Sequence, residues 1–94
     1  MVETIFHQKI VRQNGDIVEM RIISVPQSIF HPEGVRYALV YIRKGHRVVG
    51  YDNHEHKGHH KHTLGKEAVY GFKDIDLLIE DFRKDVKIYV GEEL

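Results

Sequence analysis

The pattern of hydrophobic and polar positions in the first quarter of the chain predicts a β-hairpin. Residues 3–12 are strand-like, and residues 17–25 alternate apolar with polar side chains, which is typical of a strand with one buried face. Asn14 and Gly15 lie between them and form a strong turn signal, because both residue types tolerate positive φ angles. Pro26 then ends the second strand or confines it to a sheet edge.

A second hairpin is predicted after a loop. Residues 35–44 and 46–52 are rich in β-branched and aromatic types, and Gly45 makes a tight turn between them. The first of these strands has large apolar side chains on both faces, which usually means that both faces are covered. A helix can cover one face, and a second copy of the chain is our expectation for the other, so a homodimer is predicted. Residues 68–72 predict one further short strand.

The C-terminal segment has the pattern of one amphipathic helix. Asp74 is a good N-cap residue and Gly91 a suitable stop. Apolar residues recur between them at the three-and-four spacing of a single helical face: Ile75, Leu78, Ile79, Phe82, Val86 and Tyr89. The predicted fold class is therefore α+β, with an antiparallel β-sheet of about five strands, two hairpins plus a short strand, packed on one C-terminal α-helix.

The composition narrows the class of protein. There is no cysteine, which excludes disulfides, cysteine-based zinc sites and thiol catalysis and fits a cytoplasmic protein. No apolar run approaches the roughly 20 residues that span a bilayer. The N-terminus lacks the basic and apolar regions of a signal peptide. We therefore expect a cytoplasmic domain with no membrane segment.

Histidines and positive charge are concentrated in the middle of the chain. Five of the eight histidines fall within residues 54–62. Residues 43–66 carry a net charge of +4 and residues 67–94 a net charge of −4. Such a basic segment can attract phosphate groups. It can equally be a solvated loop whose charge the acidic C-terminal helix balances, and the sequence leaves both interpretations open.

A metal site is one interpretation of the histidine cluster. Alternate residues of an extended segment project to the same side, so two His-X-His pairs could each chelate an ion: His54 with His56, and His60 with His62. Neutral imidazole suits divalent transition metals such as zinc or nickel, and a neighbouring carboxylate could complete the ligand set. The alternative is that these are surface histidines that bind metal only adventitiously.

Metal-free cleavage of RNA is a second interpretation. Attack of the 2′-hydroxyl on phosphorus needs a base, an acid and a cation for the developing charge, and two histidines can supply the first two. Lys57, Lys61 or Arg47 could supply the cation, and Tyr51 a hydroxyl or a stacking surface. These residue types are common, so a nucleic-acid-binding or wholly structural loop is the alternative.

The order of motifs along the chain carries a resemblance to a known family. The most specific element is Tyr51-Asp52-Asn53 followed by Lys57-Gly58-His59-His60-Lys61-His62, with Tyr70-Gly71-Phe72 and the helix sequence of residues 77–86 after it. This order resembles the TumE family, small toxins of bacterial and archaeal toxin–antitoxin modules. Because the resemblance covers nearly the whole chain, it implies a single TumE-like domain over residues 1–94.

The resemblance implies roles for particular residues. It marks Asp81 and Asp85 on the helix and, in the basic segment, Tyr51, Asp52, Asn53, Lys57, Gly58, His60, Lys61 and His62. His54 and His56 stand outside the family pattern, which favours His60 and His62 as the working pair over a metal site of four histidines. The resemblance also implies a cognate antitoxin, a small DNA-binding protein, as partner.

The resulting hypothesis is a toxin that acts on RNA. The candidate catalytic residues are His60, His62, Asp52 and Tyr51, and the candidate substrate-binding residues are Lys57, Lys61, Asn53 and Arg47. No cofactor is required by this hypothesis, although a divalent transition metal such as zinc or nickel is the alternative at His54, His56, His60 and His62. A metal-binding or protein-interaction module without catalysis is the competing class, and a loop that binds the antitoxin is a third interpretation.

Overall fold

A computed structural model gives the fold for residues 2–54 and 57–94. Within these residues the elements follow in chain order: β1 (Glu3–Val11), β2 (Ile17–Ser24), β3 (Val35–Arg43), β4 (His46–Asp52), β5 (His60–Thr63), β6 (Lys66–Val69) and α1 (Ile75–Val90). Each strand pairs antiparallel with the next, so the sheet is a meander with β1 and β6 at its edges. The predicted α+β class is confirmed, with six strands in place of about five.

Two-residue turns join β3 to β4 and β5 to β6. Lys44 and Gly45 form the first turn, Leu64 and Gly65 form the second, and all four residues have positive φ. Positive φ at both central positions matches the twist of the flanking strands, and glycine adopts it without steric cost. The predicted turn at Gly45 is confirmed. The second turn was not predicted.

The second turn changes the interpretation of the histidine segment. β5 lies where the sequence predicted a loop, and β6 ends at Val69, before Tyr70, where a strand over residues 68–72 was expected. Histidine and lysine are not typical strand residues, so the four residues of β5 carry little strand signal of their own. They are extended because β4 and β6 supply hydrogen bonds on both sides.

Helix α1 has the caps that the sequence predicts. Asp74 Oδ1 accepts a hydrogen bond from the backbone N–H of Leu77 at 2.8 Å. Gly91 is left-handed, and its N–H donates to the carbonyl of Lys87 at 3.1 Å. Both ends therefore satisfy backbone groups that the helix itself leaves unpaired.

The core lies between α1 and one face of the sheet. It consists of Val18, Met20, Ile22, Tyr37, Leu39, Tyr41, Val49, Tyr51, Leu78, Phe82 and Val86. No described helix covers the other face, which we call the open face. There Ala38 is exposed, and Val40 and Ile42 are half-buried. A second copy of the chain on this face therefore stays a prediction.

Within the described ranges, α1 is too short and too polar to cross a membrane, and no other helix is present to do so.

Candidate functional site

The pairing of β4 with β5 divides the family motif between the two faces of the sheet. Asp52 lies opposite His60, Tyr51 opposite Lys61, and Gly50 opposite His62. Side chains of successive strand residues point to opposite faces. Tyr51 and Lys61 therefore face α1, whereas Asp52, His60 and His62 share the open face. The motif builds two clusters, although the sequence suggested one.

The open-face cluster is centred on His60. Its Nε2 lies 2.8 Å from Asp52 Oδ1, and its Nδ1 lies 3.0 Å from the carbonyl oxygen of Gly58. Both partners are acceptors, so only a doubly protonated imidazolium can donate to both. The His60 and Asp52 residues are 4% and 7% exposed. His60 and Asp52 form a buried ion pair whenever the ring carries both protons.

The surroundings of His62 disfavour the charged form of its ring. Its ring is edge-on to that of His60, with 5.2 Å between the centroids. Burial lowers the pKa of His62 from its usual 6.5, and the positive charges of Arg47 and His60 lower it further against the opposing effects of Glu67 and Asp52. His62 is therefore a neutral imidazole at pH 7. An imidazole that contacts an acceptor at each nitrogen therefore lies beside an imidazole that is able to accept a proton.

A β-bulge places Arg47 beside these rings. Tyr41 pairs with Val49 and Ile42 with Arg47, so Val48 is an extra residue in β4. Without it, the alternation would point Arg47 to the side of α1, as for Val49. With it, Val48 packs against the core and Arg47 turns to the open face. The sequence prediction included Arg47 but could not foresee this change of side.

Gly50 makes room for Arg47. A Cβ atom on Gly50 would lie 2.6 Å from Arg47 Cδ, closer than two carbon atoms can approach. The Arg47 side chain therefore crosses the strand over the bare backbone of Gly50, directly opposite His62 in the sheet. The sequence interpretation missed this role of Gly50. A glycine inside a strand, where it weakens the sheet, is the signal that could have indicated it.

The open-face cluster also has ligands for a metal. Asp52, His60 and His62 each offer one ligand atom, and these atoms lie within 4.8 Å of one another. Two imidazoles and a carboxylate are suited to zinc, nickel or iron. His54 Nε2 lies 4.0 Å from Asp52 Oδ1, but its side chain is 60% exposed. His56, predicted as a metal ligand, and Glu55 lie outside the described residues.

The second cluster lies on the helix side of the sheet. The buried Tyr51 hydroxyl donates to Asp85 Oδ2, and Lys61 Nζ lies 3.3 Å from the same oxygen. Tyr70 donates to Asp81 Oδ2 at 2.6 Å. Burial raises the pKa of Tyr51, and the hydrogen bond to Asp85 raises it further, so this hydroxyl stays protonated. The cluster joins β4 and β5 to α1 and leaves Asp85 buried, not at the surface.

Asn53 and Lys57 occupy different settings. Asn53 is 1% exposed; its Oδ1 accepts from the Tyr37 backbone N–H and its Nδ2 donates to the Val35 carbonyl, both at 2.8 Å. Both ends of this amide therefore hold the start of β3 in place. Lys57 is exposed in the segment before β5. Of the predicted substrate-binding residues, Arg47 and Lys57 remain accessible, whereas Asn53 and Lys61 are engaged in contacts within the protein.

His59 contributes to packing outside the open-face cluster. Its ring stacks on Phe72 with 4.8 Å between centroids and an interplanar angle of 8°. Burial raises the pKa of Tyr37, so its hydroxyl is the donor to His59 Nδ1 at 2.8 Å. The other ring nitrogen then donates to Glu33 at 3.0 Å. These contacts attach the loop before β3 to the segment before β5.

The fold and the open-face cluster define a small α+β protein with a histidine–carboxylate site on one face of its sheet. The family model of toxin TumE matches residues 3–90, nearly the whole chain, so the protein belongs to the TumE toxin family. Membership suggests the toxin component of a toxin–antitoxin system and implies a cognate antitoxin as partner. No curated protein and no solved structure matches the chain.

Proposed function

We propose that this toxin is a ribonuclease that cleaves RNA at the open-face cluster without a metal. The observation that supports the proposal is that two adjacent imidazoles have surroundings that act on their protonation in different ways. His60 faces an acceptor at each ring nitrogen, and the pKa of His62 is lowered by its surroundings. Acid–base catalysis needs one group that gives a proton and another that takes one.

His62 is the base in this mechanism. It removes the proton from the ribose 2′-hydroxyl as that oxygen attacks phosphorus. Arg47 is an exposed cation on the same face, and its guanidinium can bind two phosphate oxygens at once and stabilise the charge that develops on them. Lys57 is a second exposed cation in the adjoining segment.

His60 is the acid. It transfers a proton to the departing 5′-oxygen, which leaves a 2′,3′-cyclic phosphate on the other product. Because Asp52 Oδ1 lies 2.8 Å from His60 Nε2, this ion-pair contact has to open as the leaving oxygen takes the proton. Asp52 thus orients the ring before the reaction. Tyr51 and Lys61 act through position, since they attach β4 and β5 to α1 from the other face.

The test combines growth arrest with cleavage by the purified protein. His60→Ala and His62→Ala should each lower the cleavage rate by about 10²- to 10⁴-fold and abolish toxicity while the protein remains folded. His46→Ala, at the exposed start of β4, is the matched control and should keep full activity. Cleavage should survive chelation and leave a 2′,3′-cyclic phosphate end. Retained toxicity in both cluster variants rules out the assignment.

Metal binding is a second candidate, supported by the convergence of Asp52, His60 and His62 within 4.8 Å. Elemental analysis of the untagged protein after dialysis tests it. Near-stoichiometric zinc or nickel that disappears in a His60→Ala/His62→Ala variant and in Asp52→Asn supports a metal site. If His54→Ala removes the metal equally, the ligand set extends to the first histidine pair. Protein that carries no metal and cleaves RNA contradicts this candidate.

The partner follows from the family. We propose that a cognate antitoxin, a small DNA-binding protein, neutralises the toxin in the cytoplasm. Co-expression of the adjacent small gene should restore growth in cells that make the wild-type toxin. Size-exclusion chromatography of the toxin alone tests the predicted homodimer. Because a second copy on the open face would cover the cluster, RNA cleavage there requires the monomer. Failure of any adjacent gene product to bind the toxin contradicts the proposed partner without affecting the ribonuclease proposal.

A further inference from the structure

A cavity of about 260 Å³ opens on the open face next to the histidine–carboxylate cluster. It is lined by Arg21, Ile23, Arg36, Tyr37, Ala38 and His54. Arg21 pairs with Ala38 across β2 and β3, Ala38 with Asp52 across β3 and β4, and Asp52 with His60 across β4 and β5. The cavity and the cluster therefore lie along one row of the sheet.

The lining of the cavity is cationic. Arg21 and Arg36 are both exposed, and neither forms an ion pair with any residue in 2–54 or 57–94. The nearest acid along the face of β2 is Glu19, which is engaged by His7 at 2.9 Å. Two guanidinium groups that pair with no acid among the described residues are suited to bind phosphate, because their donors match two phosphate oxygens.

The floor of the cavity is small and apolar. Ala38 contributes only a methyl group, and Ile23 forms an apolar wall beside the two arginines. A base or ribose can rest on such a surface while its phosphate lies between the guanidinium groups. Neighbouring strands are about 4.8 Å apart, so the row from Arg21 to His60 spans on the order of 14 Å. A strand of a few nucleotides covers this distance.

We infer that this cavity is a second phosphate-binding subsite, which holds a flanking nucleotide of a single-stranded RNA whose scissile phosphate lies at His60 and His62. This inference rests on the proposed ribonuclease function for its substrate class. It adds that recognition extends away from the cleaved bond along one row of the sheet, across Ala38. Longer RNAs should therefore be bound and cleaved better than a dinucleotide.

The experiment measures binding with an RNA that cannot be cleaved. A fluorescent single-stranded 2′-O-methyl oligoribonucleotide is titrated with wild type and with Arg21→Gln/Arg36→Gln, and anisotropy is followed at several salt concentrations. In the double variant Kd should rise by about tenfold or more, as expected when a charge-assisted hydrogen bond is removed. The slope of log Kd against log salt should fall by about 0.7 for each phosphate that the variant no longer neutralises.

Two further variants separate a defined subsite from general charge. Lys73→Gln/Arg83→Gln removes two exposed positive charges from the segment before α1 and from α1 itself and should bind nearly as wild type does. Ala38→Leu fills the floor without altering charge and should weaken binding while the salt slope stays the same. Equal losses of affinity in the two charge variants, or unchanged binding in Arg21→Gln/Arg36→Gln, overturn the subsite.

The readouts distinguish this inference from the proposed function. If the wild type binds the RNA through Arg21 and Arg36 but cleaves no RNA, the subsite is supported and the ribonuclease proposal is rejected. Cleavage that shows the same preference for longer RNA in wild type and in Arg21→Gln/Arg36→Gln keeps the ribonuclease and rejects the subsite. Absence of binding by the wild type to the uncleavable RNA also rejects the subsite.

Discussion

Lys61 and His60 are consecutive residues of β5, yet they bind carboxylates on opposite sides of the sheet. Lys61 Nζ lies 3.3 Å from Asp85 Oδ2 on α1, and His60 Nε2 lies 2.8 Å from Asp52 Oδ1 on the open face. One short strand thus carries an anchoring ion pair and a candidate catalytic one. Because the sheet separates the two ion pairs, each can be altered without touching the other.

The pH dependence of cleavage should report the charge of Arg47. Burial is the main cause that lowers the pKa of His62, and Arg47 is the second. Arg47→Gln removes a cation, so the pKa of His62 should rise. The base would then be protonated over a wider acidic range, and the acid limb of kcat/KM should move to higher pH.

Glu67 provides the control of opposite sign for the same experiment. Glu67 and Asp52 raise the pKa of His62, whereas Arg47 and His60 lower it. Glu67→Gln should therefore move the acid limb to lower pH, and Arg47→Lys should leave it near its wild-type position. If Arg47→Gln and Glu67→Gln move the limb in the same direction, His62 is not the group that titrates.

Gly50→Ala should lower activity without weakening the fold. The added Cβ would lie 2.6 Å from Arg47 Cδ, so the arginine has to leave its position over the strand. The φ of Gly50 is not positive, and alanine restricts the unfolded chain more than glycine does, so stability should change by no more than about 1 kcal/mol. Thermal melting and kcat/KM measure the two effects.

A double variant sharpens the Gly50 prediction. In an Arg47→Ala background there is no long side chain for the new methyl group to displace. Adding Gly50→Ala there should cost little further activity. A full loss of activity in both backgrounds would mean that Gly50 acts by another route than through Arg47.

Asp85→Ala should destabilise the fold. Asp85 is the acceptor for the buried Tyr51 hydroxyl and the ion-pair partner of Lys61. Without this carboxylate the Tyr51 hydroxyl keeps only its longer contact to the Asp81 carbonyl oxygen at 3.4 Å. Loss of a buried hydrogen-bond partner costs about 1–3 kcal/mol, and urea unfolding should detect that decrease in the free energy of unfolding. Tyr51→Phe added to Asp85→Ala should cost less than Tyr51→Phe alone, since its partner is already absent.

The control for Asp85 is a carboxylate on the exposed side of the same helix. Glu80 forms an i,i+4 ion pair with Lys84 at 3.2 Å. An exposed pair of this kind contributes about 0.3–0.5 kcal/mol. Glu80→Ala should therefore change the free energy of unfolding far less than Asp85→Ala. Comparable decreases would count against a special role for the Tyr51–Asp85 hydrogen bond.

Acid denaturation should depend on Asp16. Its carboxylate accepts hydrogen bonds from Arg43 and from Tyr41, and the bond from Arg43 is the main cause that lowers its pKa from 3.8. A carboxyl group whose pKa is lowered in the folded state stabilises the protein at pH values above its pKa in the unfolded state. That contribution is lost as the pH falls through the pKa of the group in the folded state. The decrease in stability should therefore occur below about pH 4.

Thermal melts of Asp16→Asn across this range provide the measurement. The variant should be less stable than wild type at neutral pH, because the charged partner of Arg43 is gone. Its melting temperature should fall less steeply on acidification. Identical acid slopes for the two proteins would show that Asp16 keeps its ordinary pKa in the folded state.

The hairpins and the helix were predictable because they rest on local signals. Asn14 with Gly15, Gly45, and the caps Asp74 and Gly91 mark the ends of elements whose apolar spacing is regular. β5 had no such signal, since its side chains are polar and its conformation depends on pairing with two neighbours. Local propensity cannot reveal a strand that its partners stabilise.

The site was predictable as a set of residue types but not as an arrangement. The His-X-His spacing correctly placed His60 and His62 on the same side. The same alternation puts Lys61 on the side of α1. The sequence hypothesis, in contrast, required Lys61 to bind phosphate beside the two histidines. Arg47 reaches the site only through the bulge at Val48, and a bulge depends on pairing between strands, which one strand's sequence does not specify.

The two-residue alternation of β5 makes the site depend on register in an all-or-none manner. A shift of one residue between β4 and β5 would exchange the faces, turning both imidazoles towards α1 and the lysine ammonium towards solvent. The ion pair of Lys61 with Asp85 opposes that shift, because it holds only in the observed register. The contact between β5 and α1 on one side of the sheet therefore stabilises the register that places His60 and His62 together on the other side.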